Sequence, residues 1–312
     1  MIWRFLKSTS GTRAPFVLLF LPAACVPATA PTGSGASRVA TPPVTVAPPS
    51  PSIDGADAGR PEALELTGVP RQGGIILGRL ARGARALTLD GEDVPYDREG
   101  RFIIAFDRDA GEKANLDLRF ADGHTARRTL SVAPGAWRIE QVNANPTGGA
   151  ATSEEFQARR AGELAQIAAA RATTSQSDGW RQSFIWPVSG RISGVFGSQR
   201  VYRGQPGSYH SGLDIAGGAG AVYVAPADGV VTLAVTTPFT LEGNLLMIDH
   251  GMGLNSAFLH SQRLLVKAGD VVRQGQPLGI VGATGRVSGP HLHWSMKWNA
   301  ARIDPLPLLP PR

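Results

Sequence analysis

Apolar and polar residues alternate with period two through short runs over much of this chain, and glycine-containing turns cut the runs apart. Between Leu64 and Val132 the runs are Arg85-Ala-Leu-Thr-Leu89, Arg101-Phe-Ile-Ile-Ala-Phe106 and Leu116-Asp-Leu-Arg-Phe120. Asp90-Gly91, Glu99-Gly100 and Asp122-Gly123 punctuate them. Asp-Gly is a strong hairpin signal, because both central residues of the tight turn need positive φ. Several short strands of this kind predict a small β-sandwich of immunoglobulin-like type over residues 61–135. His124, just past a turn, reads as a solvent-exposed side chain.

The period changes once. Residues 152–172 follow a helical pattern, with Thr152 and Glu155 as a capping box and Ala161, Leu164, Ala165 and Ala168 as a weak apolar face. This predicts a connecting helix within residues 150–175. From Ile185 onward strands and Gly-rich turns return, so residues 181–312 form a second β domain. No internal repeat is visible. The fold class is therefore mainly β, in two domains joined by a helix.

The first sixty residues belong to neither. Arg4, Lys7 and Arg13 precede an apolar run from Pro15 to Leu21, followed by small residues. The run is shorter than the roughly 20 residues that span a bilayer, so residues 1–30 read as a secretory signal peptide. Cys25, the one cysteine in the chain, stands where a lipoprotein signal places its acylated residue, although Pro22 occupies the position where Leu is usual. The competing cleavage site follows Ala30. Either way the protein is expected to be exported, to the periplasm or cell envelope, with the membrane reached only through an N-terminal lipid. Residues 31–60, rich in Pro, Ala, Thr and Ser, read as an extended tether.

Charge sharpens the division without deciding the chemistry. The net charge is +6, and residues 181–312 hold eleven basic and six acidic groups. A basic surface attracts polyanions. No basic run or nucleic-acid-binding motif accompanies it, so nucleic acid is not expected as a partner. With a single cysteine, any metal site must use His and carboxylate.

Five of the six histidines lie between 210 and 293. His210-Ser-Gly-Leu-Asp214 places an imidazole and a carboxylate on one side of an extended chain. His291-Leu-His293 places two imidazoles on one face of a strand, which a shared ion or substrate explains better than burial, since each ring needs hydrogen-bond partners. His260 ends the run Asn255-Ser-Ala-Phe-Leu-His260. His250, in Asp249-His250-Gly251, reads as structural. Catalytic zinc commonly takes three protein ligands and keeps a fourth position for water, and two His with one carboxylate make such a set.

The stretch from about Gly190 to Leu309 resembles the lysostaphin/LytM-like zinc metallopeptidases. The residues that carry the resemblance are His210-x-x-x-Asp214, Ala225-Pro-Ala-Asp228-Gly229-Val230-Val231, Gly243-Asn244, Ile248-Asp249-His250-Gly251, Leu259-His260, Val266-x-x-Gly269-Asp270-x-Val272-x-x-Gly275-Gln276, Gly282-x-Thr284-Gly285 and Gly289-Pro290-His291-Leu292-His293. The resemblance implies an all-β, strongly twisted sheet with one zinc ion in a groove. It implies His210, Asp214 and His293 as ligands and His291 and His260 as catalytic histidines beside the bound water. It implies peptidoglycan as substrate and peptide-bond hydrolysis in cross-links or stem peptides as the reaction. The alternative within the family is a weakly catalytic member that binds the wall and activates a separate amidase. Arg200, Tyr202 and Tyr209, ahead of the first motif, are candidates for lining the groove. The chain departs from the family pattern in three places. Arg286-Val287-Ser288 precedes Gly289-Pro290, Trp294-Ser295 stands where Phe-Glu is common, and Phe258 stands where Tyr is usual. These departures are expected to alter substrate preference.

Overall fold

A computed structural model describes residues 64–145 and 153–312. The signal, tether and Cys25 expectations lie outside the described residues.

The first unit holds seven strands: β1 (Glu65–Thr67), β2 (Ile75–Arg79), β3 (Ala84–Leu89), β4 (Glu92–Asp93), β5 (Arg101–Ala105), β6 (Lys113–Phe120) and β7 (Thr125–Ser131). They form two antiparallel sheets, ordered β1-β2-β5 and β4-β3-β6-β7. Period-two patterning decides which side chains turn inward. In β6, Ala114, Leu116, Leu118 and Phe120 are buried, and the intervening residues are not. They join Ile76, Phe102, Ile104 and Leu130 in a continuous core. His124 is exposed, stacked on Phe120 and beside Asp122.

A strand β8 (Ile139–Val142) leads out of this unit, and α1 (Glu154–Ala172) follows. The helix cap is Ser153, whose side chain accepts from the Phe156 N–H at 3.1 Å, one residue beyond the expected Thr152. Glu154 and Glu155 in the first turn and Arg171 in the last complement the helix dipole. The buried face is also rotated from the expected one. Leu164 is 48% exposed, whereas Glu163 and Ala170 are buried. Pairing of Glu163 with Arg159 and Arg160 lets a charged residue face inward.

The second unit contains β9 (Arg191–Gly194), β10 (Gln199–Tyr202), β11 (Gln205–Tyr209), β12 (Leu213–Ala216), β13 (Val222–Val224), β14 (Gly229–Ala234), β15 (Asn244–Asp249), β16 (Leu254–Ser261), β17 (Arg263–Leu264), β18 (Val271–Val272), β19 (Pro277–Ile280), β20 (Leu292–Trp298) and β21 (Ala301–Ile303). Its main sheet runs β18-β14-β15-β16-β20-β12-β9, with β21 paired to β20. Among the described residues the structure is thus mostly β with one α-helix, in line with the patterning. One face of β20 carries Leu292, Trp294, Met296 and Trp298, all buried in the core. The other carries His293, Ser295 and Lys297. Against that second face lies α1, whose Ala170 and Ile167 pack with Leu245, Met247, Ala257 and Leu259. The helix does more than connect two units, because its last turns wall the open face of the sheet.

The two units touch close to the histidines. Strand β8 pairs in parallel with β10, which pairs with β11. The Arg108 guanidinium donates to the Gly197 carbonyl (Nη2, 3.1 Å) and the Gln199 side chain (2.9 Å), and lies 4.5 Å from the centre of the Tyr209 ring.

Candidate metal centre

Strand register brings the first two residues of the centre together. Asp214 on β12 stands directly opposite His293 on β20. Facing residues of an antiparallel pair project to the same side with Cβ atoms about 5 Å apart. His210 arrives from the end of β11 and is held at its backbone and its ring. Its N–H donates to Ser198 O (2.8 Å), its carbonyl accepts from Gly197 N (2.8 Å), and its Nδ1 lies 3.0 Å from Val195 O. The Nδ1 contact turns Nε2 inward, to 3.0 Å from Asp214 Oδ1 and 3.1 Å from His293 Nδ1. His293 Nδ1 is 2.8 Å from that same oxygen.

Two glycines make the approach possible. A Cβ on Gly194 would stand 2.4 Å from Asp214 Oδ2, and one on Gly212 would stand 2.6 Å from His293 Nε2. Neither position has room for a side chain.

His291 and His260 flank this group. His291 Nε2 is 3.4 Å from Asp214 Oδ1, and its Nδ1 is 2.9 Å from Gly289 O. The His260 ring centre is 5.3 Å from that of His291 and 6.2 Å from that of His293. His260 reaches this place through a bulge. β15 and β16 pair at Leu246 with Phe258 and next at Asn244 with Ser261, so β16 carries one extra residue. His260 has φ of +64° there. A non-glycine residue in the left-handed region is costly, and persists where the surroundings enforce it. Here His260 N–H donates to Glu242 O (2.9 Å), and Nδ1 lies 2.9 Å from Thr284 O.

Asp214 is buried, a condition that by itself disfavours the charged form. Hydrogen bonds from His210, His291 and His293 outweigh burial and hold its carboxyl well below the usual carboxylate range. Burial also pulls His210 and His291 down, but their contacts with Asp214 win and raise both. For His293 burial prevails and the value is lowered. Burial, together with the neighbouring histidines, holds His260 at about 4, so its ring is neutral near pH 7.

The donor set fits a cation. The ligating atoms of His210, Asp214 and His293 lie within 4.8 Å of one another. Bonds of about 2 Å at tetrahedral angles put ligand atoms about 3.3 Å apart, near the separations here. Two ring nitrogens facing each other beside one carboxylate oxygen is an arrangement that a shared ion resolves. The His210 Nδ1 contact to a backbone carbonyl is the kind of outer support that fixes a ligating imidazole.

The other expected residues sit elsewhere. Arg200 pairs with Glu140 (2.9 Å) on the exposed β8–β10 sheet. Tyr202 lies on the same strand, half-buried. Tyr209 is wedged between Arg108 and Arg302, with its hydroxyl accepting from Arg302 Nη1 (3.0 Å), so it serves the contact between units. Trp294 points away from the histidines into the core, donating to Ser256 Oγ (3.1 Å). Ser295 does face the groove. It lines a cavity of about 110 Å³ beside His293, together with Arg171, Ser211, Glu242 and Leu259. The part α1 plays here carries no motif, and the sequence patterning missed it.

Comparison with known proteins agrees with this geometry. The model of "Peptidase family M23" matches residues 208–305. Peptidoglycan DD-endopeptidase ShyC of Vibrio cholerae is 38% identical over 117 residues, covering 37% of this chain and 26% of that protein. Murein hydrolase activator NlpD of Salmonella dublin is 32% identical over 145 residues, covering 46% of this chain and 35% of that protein. The chain therefore spans well under two thirds of the length of these curated relatives. A crystal structure of a putative peptidase M23 from Pseudomonas aeruginosa is similar over 77% of this chain and 95% of its own, with a TM-score of 0.59 and 29% identity. The second unit of this chain is a peptidase family M23 domain of the lysostaphin/LytM-like type.

Proposed function

We propose that the domain at residues 181–312 binds one zinc ion through His210, Asp214 and His293 and hydrolyses peptide bonds of peptidoglycan, in cross-links or stem peptides, in the cell envelope. The observation that carries this reading is the convergence of His210 Nε2 and His293 Nδ1 on one buried Asp214 oxygen, with two further histidines alongside. When bound, zinc supplies a water of lowered pKa and a Lewis acid for the scissile carbonyl. His260, with Nδ1–H directed at Thr284 O, presents an unprotonated Nε2 to the groove and can accept a proton there. His291, anchored through Nδ1 to Gly289 O, directs Nε2 toward the centre and can hold a proton for the leaving amine. The signal-like N-terminus fits export, and Cys25 is the point at which a lipid would tether the chain.

The second reading is an activator of a separate wall hydrolase, favoured by the similarity to NlpD. Retention of a full His-Asp-His donor set with both flanking histidines favours hydrolysis. The test is incubation of the zinc-loaded protein with peptidoglycan sacculi, with metal content measured in parallel. The hydrolase reading expects about one zinc per chain and released muropeptides, both lost in His210→Ala. Zinc binding without cleavage, together with stimulation of an added amidase, refutes it in favour of the activator.

A further inference from the structure

Helix α1 reaches past the sheet face it covers and takes hold of one short loop, residues 238–243, between β14 and β15. The loop is closed on itself: Phe239 N–H donates to Gly243 O (2.8 Å) and Gly243 N–H to Phe239 O (3.0 Å). Three of its residues are bound to α1. Arg159 Nη2 donates to Pro238 O (2.8 Å). The Thr240 backbone N–H and hydroxyl both donate to Glu163 Oε1 (2.7 and 2.6 Å). Arg160 holds the Glu242 carboxylate in a two-pronged contact (2.6 and 2.7 Å).

The charges in this cluster balance. Arg159 and Arg160 also donate to Glu163 (3.1 and 3.0 Å), which is 4% exposed. Burial alone would raise the Glu163 carboxyl, but Thr240 and the two arginines outweigh it and lower the value. Docking of the helix does not require such a cluster. Further along α1, Ile167 and Ala170 already supply apolar contact with the sheet, and that contact is non-directional. A two-pronged arginine–carboxylate pair fixes geometry as well as adding energy.

What the loop holds is His260. Glu242, whose side chain α1 grips, also offers the carbonyl that accepts the His260 N–H (2.9 Å). The second anchor, Thr284 O at 2.9 Å from His260 Nδ1, lies against the same loop. Gly243 (φ +65°) has no room for a side chain against Thr284, and Leu241 O accepts from Arg286 N–H (3.0 Å). The φ of +64° at His260 is costly and needs enforcement from outside the residue. His210, Asp214 and His293 are placed instead by β11, β12 and β20, which the cluster does not touch.

We propose that Arg160 and Glu163 are positioning residues for His260: they fix the 238–243 loop so that the Glu242 carbonyl keeps His260 in its left-handed backbone and its ring beside His291. The inference rests on the hydrolase reading and gives that site a support outside the peptidase motifs.

The test places Arg160→Gln, Glu242→Gln and the double substitution in the full zinc-loaded chain. Turnover of a cross-linked muropeptide should fall about ten- to a hundredfold in kcat, the effect of a small misplacement of a reacting group. KM and zinc affinity should hold. The double variant should lose no more than either single one, because both break one link. With histidine nitrogens labelled, the His260 resonances should shift in each variant while those of His210 and His293 stay. Arg160→Lys, which keeps the charge but not the fork, should show the same signs more weakly, and it carries the test if the other variants fail to fold. Additive losses, an equal fall in zinc affinity, or unmoved His260 resonances overturn the proposal. A rise in turnover also overturns it, since α1 would then be a cover on the groove. Absence of cleavage by the parent overturns the hydrolase reading instead, and the histidine resonances then judge the positioning alone.

Discussion

The fully buried His250 offers the sharpest quantitative prediction, because its proton inventory is fixed by its neighbours. Its Nδ1 is 2.7 Å from the Asp228 backbone carbonyl, which can only accept. Its Nε2 is 2.7 Å from Ser256 Oγ, and that oxygen already accepts from Trp294 Nε1 at 3.1 Å. The pattern closes with a neutral ring, Nδ1 donating and Nε2 accepting the serine proton. A second proton would leave the hydroxyl hydrogen without an acceptor. Burial pushes the His250 value below 6.5, and the carboxylates of Asp249 and Asp228 do not offset it. The unfolded chain then binds a proton that the folded chain refuses. Stability from this group is complete above about pH 6.5 and falls as pH drops below it, at up to about 1.4 kcal/mol per pH unit. Between pH 7.5 and 5.5 the loss can reach at most about 1.4 kcal/mol. Other groups titrate in the same window, so the measurement is a difference. The protein and His250→Gln, both metal-free, are unfolded in urea at the two pH values. At pH 7.5 the variant is less stable by about 1–3 kcal/mol, the cost of an unmet buried polar group. At pH 5.5 that gap should be narrower, by at most about 1.4 kcal/mol. A gap that stays constant means that His250 charges as readily folded as unfolded, and the reasoning fails.

Two further expectations concern the centre. Gly212→Ala puts a methyl against His293 Nε2, so zinc affinity, read by chelator competition, should fall by tenfold or more while the fold persists. An unchanged affinity would mean that the β11–β12 turn yields freely. Arg108→Ala removes the hydrogen bonds to Gly197 O and Gln199 and the stacking on Tyr209. It should cost about 2–4 kcal/mol in thermal or urea unfolding and weaken zinc binding several-fold. Loss of stability with intact zinc affinity would separate the unit contact from the metal loop.

Much of this was legible in the chain. Period-two runs and turn residues announced the strands, and His210, Asp214, His291 and His293 stood at spacings that survive as contacts because strand geometry converts sequence separation directly into facing. What sequence could not supply was long-range in origin. His260 needs an extra residue in β16 to enter the centre, and nothing local marks that bulge. Helix α1 was visible as a helix, but its buried face depends on Glu163 and Arg160 neutralising each other against Thr240 and Glu242, partners some eighty positions away. Tyr209 sits beside His210 in sequence yet serves the neighbouring unit, since adjacent residues of a strand face opposite ways.

Arg108 also carries a thermodynamic consequence. The turn at Val195–Ser198 that steadies His210 is the turn whose Gly197 carbonyl the first unit grips. Any free energy by which docking of that unit improves the ligand geometry must return, with equal magnitude, as tighter docking once the ion is bound. On the proposed zinc-binding reading, metal availability then sets how firmly the two units hold together. Chelation, besides emptying the centre, would loosen a contact formed by Arg108 and Tyr209, and the earliest sign of metal loss would be greater proteolytic or exchange sensitivity in β8 and the segments beside it.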